Sequence, residues 1–179
     1  MTIRPTEGTM DAEFNTAMVI LRSWVGIVML AHGIKHARGQ QKTTNWLNSI
    51  GYRHASFQWL SMTATEIGVG ALLIVGLLTP LAAAATASIM VVAYLTVHRK
   101  PGFWVTARPD EGWEYAATLV AASIALGLLG PGEWSIDEGI DVANNLDGWI
   151  GLAIVAGGAA LGALQVATFF RPNATESTD

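Results

Sequence analysis

The chain has 179 residues, of which 51% are hydrophobic and only 13% charged, whereas soluble domains contain about 25% charged residues. Together with a mean hydropathy of +0.39, this composition indicates an integral membrane protein. The net charge of −4 argues against a basic surface for nucleic acid. The lack of cysteine excludes disulfides, thiolate chemistry, iron–sulfur ligation and cysteine-based zinc sites.

The first apolar segment covers about residues 17–34. It follows a polar segment, residues 1–15, which contains Glu7, Asp11 and Glu13. Secretory signal peptides begin with a positively charged region and end at a cleavage site made of small residues. Because this part of the chain has neither feature, we expect the first apolar segment to be a retained membrane span.

Residues 40–60 connect the first two apolar segments and mix aromatic and aliphatic side chains with polar ones. One interpretation is an interfacial amphipathic stretch of two short helices that are broken at Gly51. The other is an ordinary connecting loop with aromatic anchors. The sequence pattern favours neither interpretation over the other.

Four further apolar segments cover residues 62–79, 81–97, 115–129 and 149–170. Most approach the roughly 20 residues that a helix needs to cross a bilayer, and the segment 115–129 is short. Pro80 leaves almost no loop between the second and third segments, and proline is tolerated in the first turn of a helix. We therefore predict an all-α, polytopic membrane bundle in which these two segments form a tight antiparallel pair.

The charges of the loops predict the orientation of the bundle, because cytoplasmic loops carry an excess of Lys and Arg. An acidic linker, residues 138–147, precedes the last span, and the polar tail, residues 171–179, is expected to be disordered. We predict a plasma-membrane protein with its N-terminus and acidic linker outside and its C-terminus in the cytoplasm. The cytoplasmic side would contain eight cations: Lys35, Arg38, Lys42, Arg53, Arg99, Lys100, Arg108 and Arg171.

Ionisable residues within or next to the apolar segments are the candidate site. A charge at membrane depth costs about 3 kcal/mol, so such groups normally pair or face the bundle interior. Glu66 is the strongest candidate because its short side chain reaches water poorly, and we expect Lys35, His32 or His98 to be its partner. Five of the six groups are expected near one membrane depth. The full set is Arg22, His32, Lys35, Glu66, His98 and Glu114.

Structural roles stay open for the same residues. Arg22 and Lys35 can extend their charged ends towards the membrane surface, and Glu114 can stabilise a helix N-terminus through the helix dipole. The histidines, one near the end of each of two spans, show no further mark of a haem site. We therefore predict no metal site.

The ordered set of these residues resembles the DoxX-like family of small integral membrane proteins. The resemblance covers about residues 21–137, and its last part, from Gly130-Pro131-Gly132 to Ser135-Ile136-Asp137, is similar to the close of the family pattern. The other elements that match, in chain order, are Arg22 with Gly26, His32-Gly33-Ile34-Lys35, the Glu66-led helix with Gly68 and Gly70 that ends in Gly76-Leu77-Leu78-Thr79-Pro80, Met90, His98 and Glu114.

The resemblance implies a four-helix membrane core, here residues 16–137, to which this chain adds a fifth transmembrane helix at residues 148–170. It also implies a link to respiratory quinone chemistry or to oxidative-stress complexes in the membrane. The family positions that it carries over are Arg22, Lys35, Glu66, His98, Glu114 and Asp137. Among the candidate residues we predict Glu66, His98 and Glu114 to be catalytic, and Arg22, His32 and Lys35 to hold a quinone cofactor.

The leading functional hypothesis is an accessory subunit of a quinone-linked redox complex that binds a quinone head group or relays protons beside it. Since the chain has no thiol, flavin or metal apparatus evident in its sequence, electrons would come from other protein subunits or from a cofactor that it borrows. The alternative is a non-catalytic membrane scaffold that recruits soluble oxidative-stress enzymes. A small-molecule carrier is a third interpretation, which the lack of inverted repeats and broken helices disfavours.

Overall fold

A computed structural model describes residues 7–172, with side chains described for residues 11–143 and 146–172. This part of the chain is helical and contains no β-sheet. The helices are α1 (Glu7–Arg38), α2 (Gln40–Ile50), α3 (Ala55–Val75), α4 (Thr79–Ala93, continued by a π-helical turn, Tyr94–His98), α5 (Glu114–Leu129), α6 (Ile136–Gly139), α7 (Ala143–Leu146) and α8 (Gly148–Phe169).

Four helical segments are long and apolar enough to cross a membrane: Asp11–Arg38, Ala55–Val75, Thr79–His98 and Gly148–Phe169. The fifth apolar helix, α5, has 16 residues and packs among them. The predicted all-α membrane bundle is therefore confirmed, and each of the five apolar segments forms a helix. In a bilayer core this is expected, since a helix satisfies its backbone hydrogen bonds within one segment.

The first helix is longer than the hydropathy pattern predicted. It begins at Glu7 and not near residue 17, so the polar segment that we expected before the span is largely its first turns. A reason lies in Asn15, which is buried and donates a hydrogen bond to the Glu133 carboxylate at 2.8 Å, while its own oxygen accepts the Glu133 backbone N–H. Polar residues in this part of α1 therefore have protein partners.

Of the two interpretations of residues 40–60, the structure agrees in part with two short helices broken at Gly51. The expected short helix is present as α2, and it ends at Gly51, whose φ of 103° is readily adopted by glycine. The second expected short helix is instead the start of α3, which runs unbroken from Ala55 to Val75. Glu66 is consequently the twelfth of the 21 residues of α3, in the middle of a span.

The helices pack in two groups around α4. Helix α1 lies along α3, where Gly26 faces Gly70 so closely that an added Cβ on Gly26 would lie 2.8 Å from the Gly70 carbonyl oxygen. Helix α4 contacts α3, α5 and α8. Gly158 and Gly162 of α8 pack closely against the α4 backbone at Ala84 and Ser88, as small residues allow in membrane helices.

The two ends of the bundle differ in charge. We call the end formed by residues 35–55, 98–114 and 169–172 the basic end, and the end formed by residues 11–15, 75–79 and 129–148 the acidic end. At the basic end the turn after α2 pairs with the end of α8, where the Arg53 N–H donates to the Phe169 carbonyl. All eight cations that we predicted on one side lie at the basic end. Arg4 lies outside the described residues, as does the tail after residue 172.

Candidate functional site

A cavity of about 1000 Å³ extends from the basic end towards the middle of the bundle. Its walls come from all five apolar helices and from α2, and most of its lining side chains are apolar. Ser61 of α3 and Leu161 and Leu164 of α8 line it and are also exposed on the outside of the bundle. The cavity therefore opens sideways between α3 and α8, on the surface that would face lipid.

The strongest polar feature of this cavity is a pair formed by Glu66 and His36. The Glu66 carboxylate is 3% exposed, and its Oε2 lies 2.7 Å from Nδ1 of His36. Our expectation that Lys35, His32 or His98 would be the partner of Glu66 is thus wrong. The backbone carbonyl of His36 accepts a hydrogen bond from the indole N–H of Trp59 of α3 at 3.0 Å, which is a further contact between α1 and α3.

Gly33 explains why α1 can approach α3 closely enough for this pair to form. A Cβ on Gly33 would lie 2.7 Å from a side-chain carbon of Ile67, 2.9 Å from the Ile67 backbone nitrogen and 3.0 Å from the Glu66 Cβ. Any larger residue at position 33 must push the two helices apart. His36 then follows Gly33 by three residues, so it lies on the same face of α1.

Two aromatic rings extend the polar wall. The His32 ring lies 6.2 Å from the His36 ring, centre to centre, and stacks on Tyr115 of α5 at 6.1 Å. Both His32 and Tyr115 line the cavity. The cavity thus has one edge of ionisable and aromatic groups from α1, α3 and α5.

His98 lines the same cavity from the π-helical turn that ends α4. Its Nδ1 lies 2.8 Å from the backbone carbonyl oxygen of Glu111. Because a carbonyl oxygen only accepts, Nδ1 must carry the proton, and Nε2 is the free basic nitrogen of a neutral His98 ring. π-Helical turns occur frequently at functional sites.

A second polar group lies on the cavity wall nearer the basic end. The Tyr52 hydroxyl donates to Oε1 of Gln165 at 3.2 Å, and Nε2 of Gln165 donates to Oε1 of Gln58 at 2.6 Å. Burial raises the pKa of the Tyr52 phenol, so this hydroxyl stays protonated and available as a donor. Gln58 is 5% exposed, and its Nε2 has no hydrogen-bond partner within the described chain.

Three of our candidate residues lie apart from this cavity. Lys35 is exposed at the end of α1. Glu114 begins α5, where its carboxylate accepts the Val105 backbone N–H at 3.1 Å and so orders the loop before α5. Neither residue lines the cavity.

Arg22, the third, lies towards the acidic end and contacts the backbone. Its guanidinium donates to the carbonyl oxygens of Leu73 and Ile74, at 3.1 Å and 2.7 Å, and to that of Trp134. The Leu73 and Ile74 carbonyls belong to the last turn of α3, where carbonyl groups lack their usual partners within the helix; that of Leu73 also accepts the Gly76 backbone N–H at 3.3 Å. Arg22 therefore ties α1 to the end of α3 and to the loop after α5.

Asp137 completes this cluster at the acidic end. It is 1% exposed, and its two carboxylate oxygens accept the backbone N–H groups of Leu78 and Thr79, at 2.6 Å and 2.8 Å, where α4 begins. Its own backbone N–H donates to the Gly76 carbonyl at 2.9 Å. Gly76, at φ 68°, leaves room for Arg22, since a Cβ there would lie 2.8 Å from the guanidinium.

The structure thus brings His32, Glu66 and His98 of the predicted set to one cavity and adds residues that sequence reasoning missed. His36 was detectable, because it follows His32 by four residues and so repeats on the same helical face. Gln58 and Gln165 gave no signal, since they are single neutral residues 107 positions apart in the chain. Among the described residues, no group of three or more His, Asp or Glu is placed to hold a metal ion.

Comparison with known proteins agrees with this architecture. The family model described as DoxX matches residues 17–99. A protein of Bacillus subtilis (strain 168) named "Putative oxidoreductase CatD" is 30% identical over 121 residues, which are 68% of this chain and 84% of that protein. No solved structure gives a significant match.

Proposed function

The chain belongs to the DoxX family of integral membrane proteins, and on that premise we propose that it is the quinone-binding accessory subunit of a membrane redox complex. The observation that supports this most directly is the cavity between the helices, which is apolar along most of its length and has the buried Glu66–His36 pair on its wall. The similarity to a protein named as an oxidoreductase supports the redox part of the proposal.

The cavity suits a quinone in size and in polarity. Its volume of about 1000 Å³ is at the upper end of the range of about 300–1,000 Å³ typical of small-molecule sites, which leaves room for a ring and part of a hydrocarbon tail. The opening between α3 and α8 would let a tail extend into lipid. The polar groups of Glu66 and His36 would contact a ring oxygen.

When bound, a quinone takes up two electrons and two protons to become a quinol. The contribution of this chain would be to deliver protons. The contact between Nδ1 of His36 and Oε2 of Glu66 requires one proton between them, and a second proton on Nε2 of His36 makes the pair neutral overall. That second proton, on Nε2 of His36, is the one that the pair would donate.

His98, on the same cavity, would relay the second proton by taking it up at Nε2 and passing it to the quinone. Its proton on Nδ1 is held by the Glu111 carbonyl, so exchange takes place at Nε2. With the basic end in the cytoplasm, as its eight cations favour, protons would enter from that side. The electrons would come from a partner protein, since the chain contains no cysteine for thiol or iron–sulfur chemistry.

The first test is the chemical identity of what the cavity holds. We expect the full chain, purified in mild detergent from the membranes of its own cell, to retain about one quinone per protein in a lipid extract that is analysed by mass spectrometry. Absence of quinone from an extract that retains phospholipid would contradict the proposal. Copurification of a soluble enzyme in stoichiometric amount, without quinone, would support the scaffold function instead.

The second test separates proton delivery from folding. Glu66→Gln keeps a hydrogen bond to His36 but removes the carboxylate, so we expect quinone reduction by the intact complex to fall by about 10²- to 10⁴-fold, the usual contribution of acid–base catalysis. Glu13→Gln, which changes an exposed carboxylate at the other end of the bundle, serves as the control. Equal turnover of wild type and Glu66→Gln would exclude the proposed role of Glu66.

A further inference from the structure

Gln58 is buried on the wall of the cavity, yet its amide nitrogen has no hydrogen-bond partner in the described part of the chain. An unpaired polar group in an apolar site costs about 1–3 kcal/mol, so native structures rarely leave one unless a ligand or water satisfies it. Gln58 lines the cavity, so the missing acceptor can be supplied from there.

The direction of the Gln58 amide is set by a chain of hydrogen bonds. Tyr52 donates to the Gln165 carbonyl oxygen, which turns the Gln165 amide nitrogen towards Gln58. The Gln58 carbonyl oxygen is thereby occupied as an acceptor at 2.6 Å. Its NH₂ group, which can only donate, is the part left over.

From this geometry we infer that Gln58 binds one carbonyl oxygen of the quinone head group, with Gln165 and Tyr52 as positioning residues. This inference rests on the proposed function and goes beyond it, because it assigns a second polar anchor that the Glu66–His36 pair does not provide. Gln58 and Glu66 are eight residues apart on α3, about 12 Å along the helix axis. The two anchors therefore contact different parts of one ligand.

This assignment gives α8, the last of the five apolar helices, a role in ligand binding. Gln165 belongs to α8, beyond residues 17–99 that match the family model. The turn after α2 and the end of α8 are also joined by the backbone pairing of Gly51 with Arg171 and of Arg53 with Phe169. Helix α8 thus helps to orient the donor that selects for a ring with a carbonyl acceptor.

The test measures the binding of a short-chain ubiquinone analogue to the full chain in nanodiscs. We expect Gln58→Met, which keeps the length of the side chain but removes the donor, to weaken binding about five- to tenfold, as for the loss of one hydrogen bond. Gln165→Met and Tyr52→Phe should weaken it about two- to threefold, because Gln58 keeps its NH₂ group but loses its fixed direction. Gln40→Met, an exposed change on α2, is the matched control.

Infrared spectra with a quinone labelled at one carbonyl give a readout that a purely structural effect would not move. In wild type the bound carbonyl stretch should lie at lower frequency than in lipid, and Gln58→Met should return it to the lipid value. If Gln58→Met fails to fold, Tyr52→Phe, at the far end of the chain of hydrogen bonds, should broaden the same band.

The possible failures are distinguishable. If wild type binds the analogue and Gln58→Met binds it equally well, with an unchanged carbonyl band, the Gln58 assignment is wrong while the proposed function stands. If wild type does not bind the analogue at all, both the Gln58 assignment and the proposed function are wrong. Weakened binding by Gln40→Met as strong as that by Gln58→Met would also overturn the assignment.

Discussion

The acidic end of this bundle and the cavity each contain buried charged side chains, but these side chains bond to different kinds of partner. At the acidic end, Arg22 and Asp137 make five hydrogen bonds to backbone groups with their side chains. On the wall of the cavity, Glu66 bonds to another side chain, and the amide nitrogen of Gln58 has no partner in the described part of the chain. Unpartnered polar atoms occur in both regions, since Arg22 Nε and Thr79 Oγ1 also lack partners there; what distinguishes Gln58 is that its residue lines the cavity.

The difference follows from what surrounds each group. Arg22 and Asp137 lie where α3 ends and α4 begins, and helix termini offer carbonyl and N–H groups that lack partners within the helix. Glu66 lies in the middle of α3, where the backbone groups are already bonded to each other. Only another side chain, or a ligand, can satisfy its carboxylate.

The largest effect on stability is expected from Arg22→Met. This change removes three hydrogen bonds from a charged donor and leaves the carbonyl oxygens of Leu73, Ile74 and Trp134 without that donor, so the free energy of unfolding should fall by about 3–5 kcal/mol. Equilibrium unfolding in mixed micelles measures it. A fall below about 1 kcal/mol would show that the acidic end does not hold the bundle together.

A smaller loss is expected from Asp137→Asn. An amide has one acceptor oxygen in place of two, so either the Leu78 or the Thr79 N–H loses its partner, at a cost of about 1–3 kcal/mol. Asp110→Asn, an exposed change, should leave the unfolding transition unchanged. Equal melting temperatures of the two variants would contradict the capping role.

The variants Gly33→Ala and Gly68→Ala test two glycines of α1 and α3, of which only Gly33 lies in the contact between these helices. Gly33→Ala forces α1 away from α3, so we expect a loss of about 1–3 kcal/mol together with weaker quinone binding. A Cβ on Gly68 meets nothing within 4 Å, so Gly68→Ala should stabilise α3 by up to about 1 kcal/mol. Thermal unfolding and quinone titration of both proteins test this, and opposite signs are the expected result.

The smallest effect on stability is expected from Glu66→Gln. The amide can still bond to His36, so the free energy of unfolding should change by less than about 1 kcal/mol, in contrast to the large loss of turnover expected from the same change. A stability loss as large as that of Arg22→Met would show that the Glu66–His36 pair is structural, like the cluster at the acidic end, and would remove the contrast between them.

Much of the fold was accessible from the sequence. The five apolar segments and the tight turn at Pro80 follow from hydropathy and from the length that a bilayer requires. The break at Gly51 was one of the interpretations that the pattern allowed. Helix boundaries were less accessible, because Asn15 and residues 55–61 are polar or mixed and are helical through contacts with distant parts of the chain.

The candidate site was predicted in part. Three of the six ionisable candidates, His32, Glu66 and His98, line the cavity, while Arg22 contacts the backbone near the other end. The sequence showed no more than that these groups lie in spans, and their roles in a reaction stay predictions. The signal for Asp137 was the resemblance of its surroundings to the family pattern, which did not reveal that it caps α4.

The sequence by itself determined that the chain forms apolar helices with an excess of cations at one end, because lipid admits only segments whose backbone is bonded internally. Only the tertiary structure decided that Glu66 meets His36 and that Gln58 meets Gln165. Those contacts depend on how α1 rotates and how closely Gly33 lets it approach α3, and on where α8 ends beside α2. Hydropathy contains no information about the rotation of one helix against another.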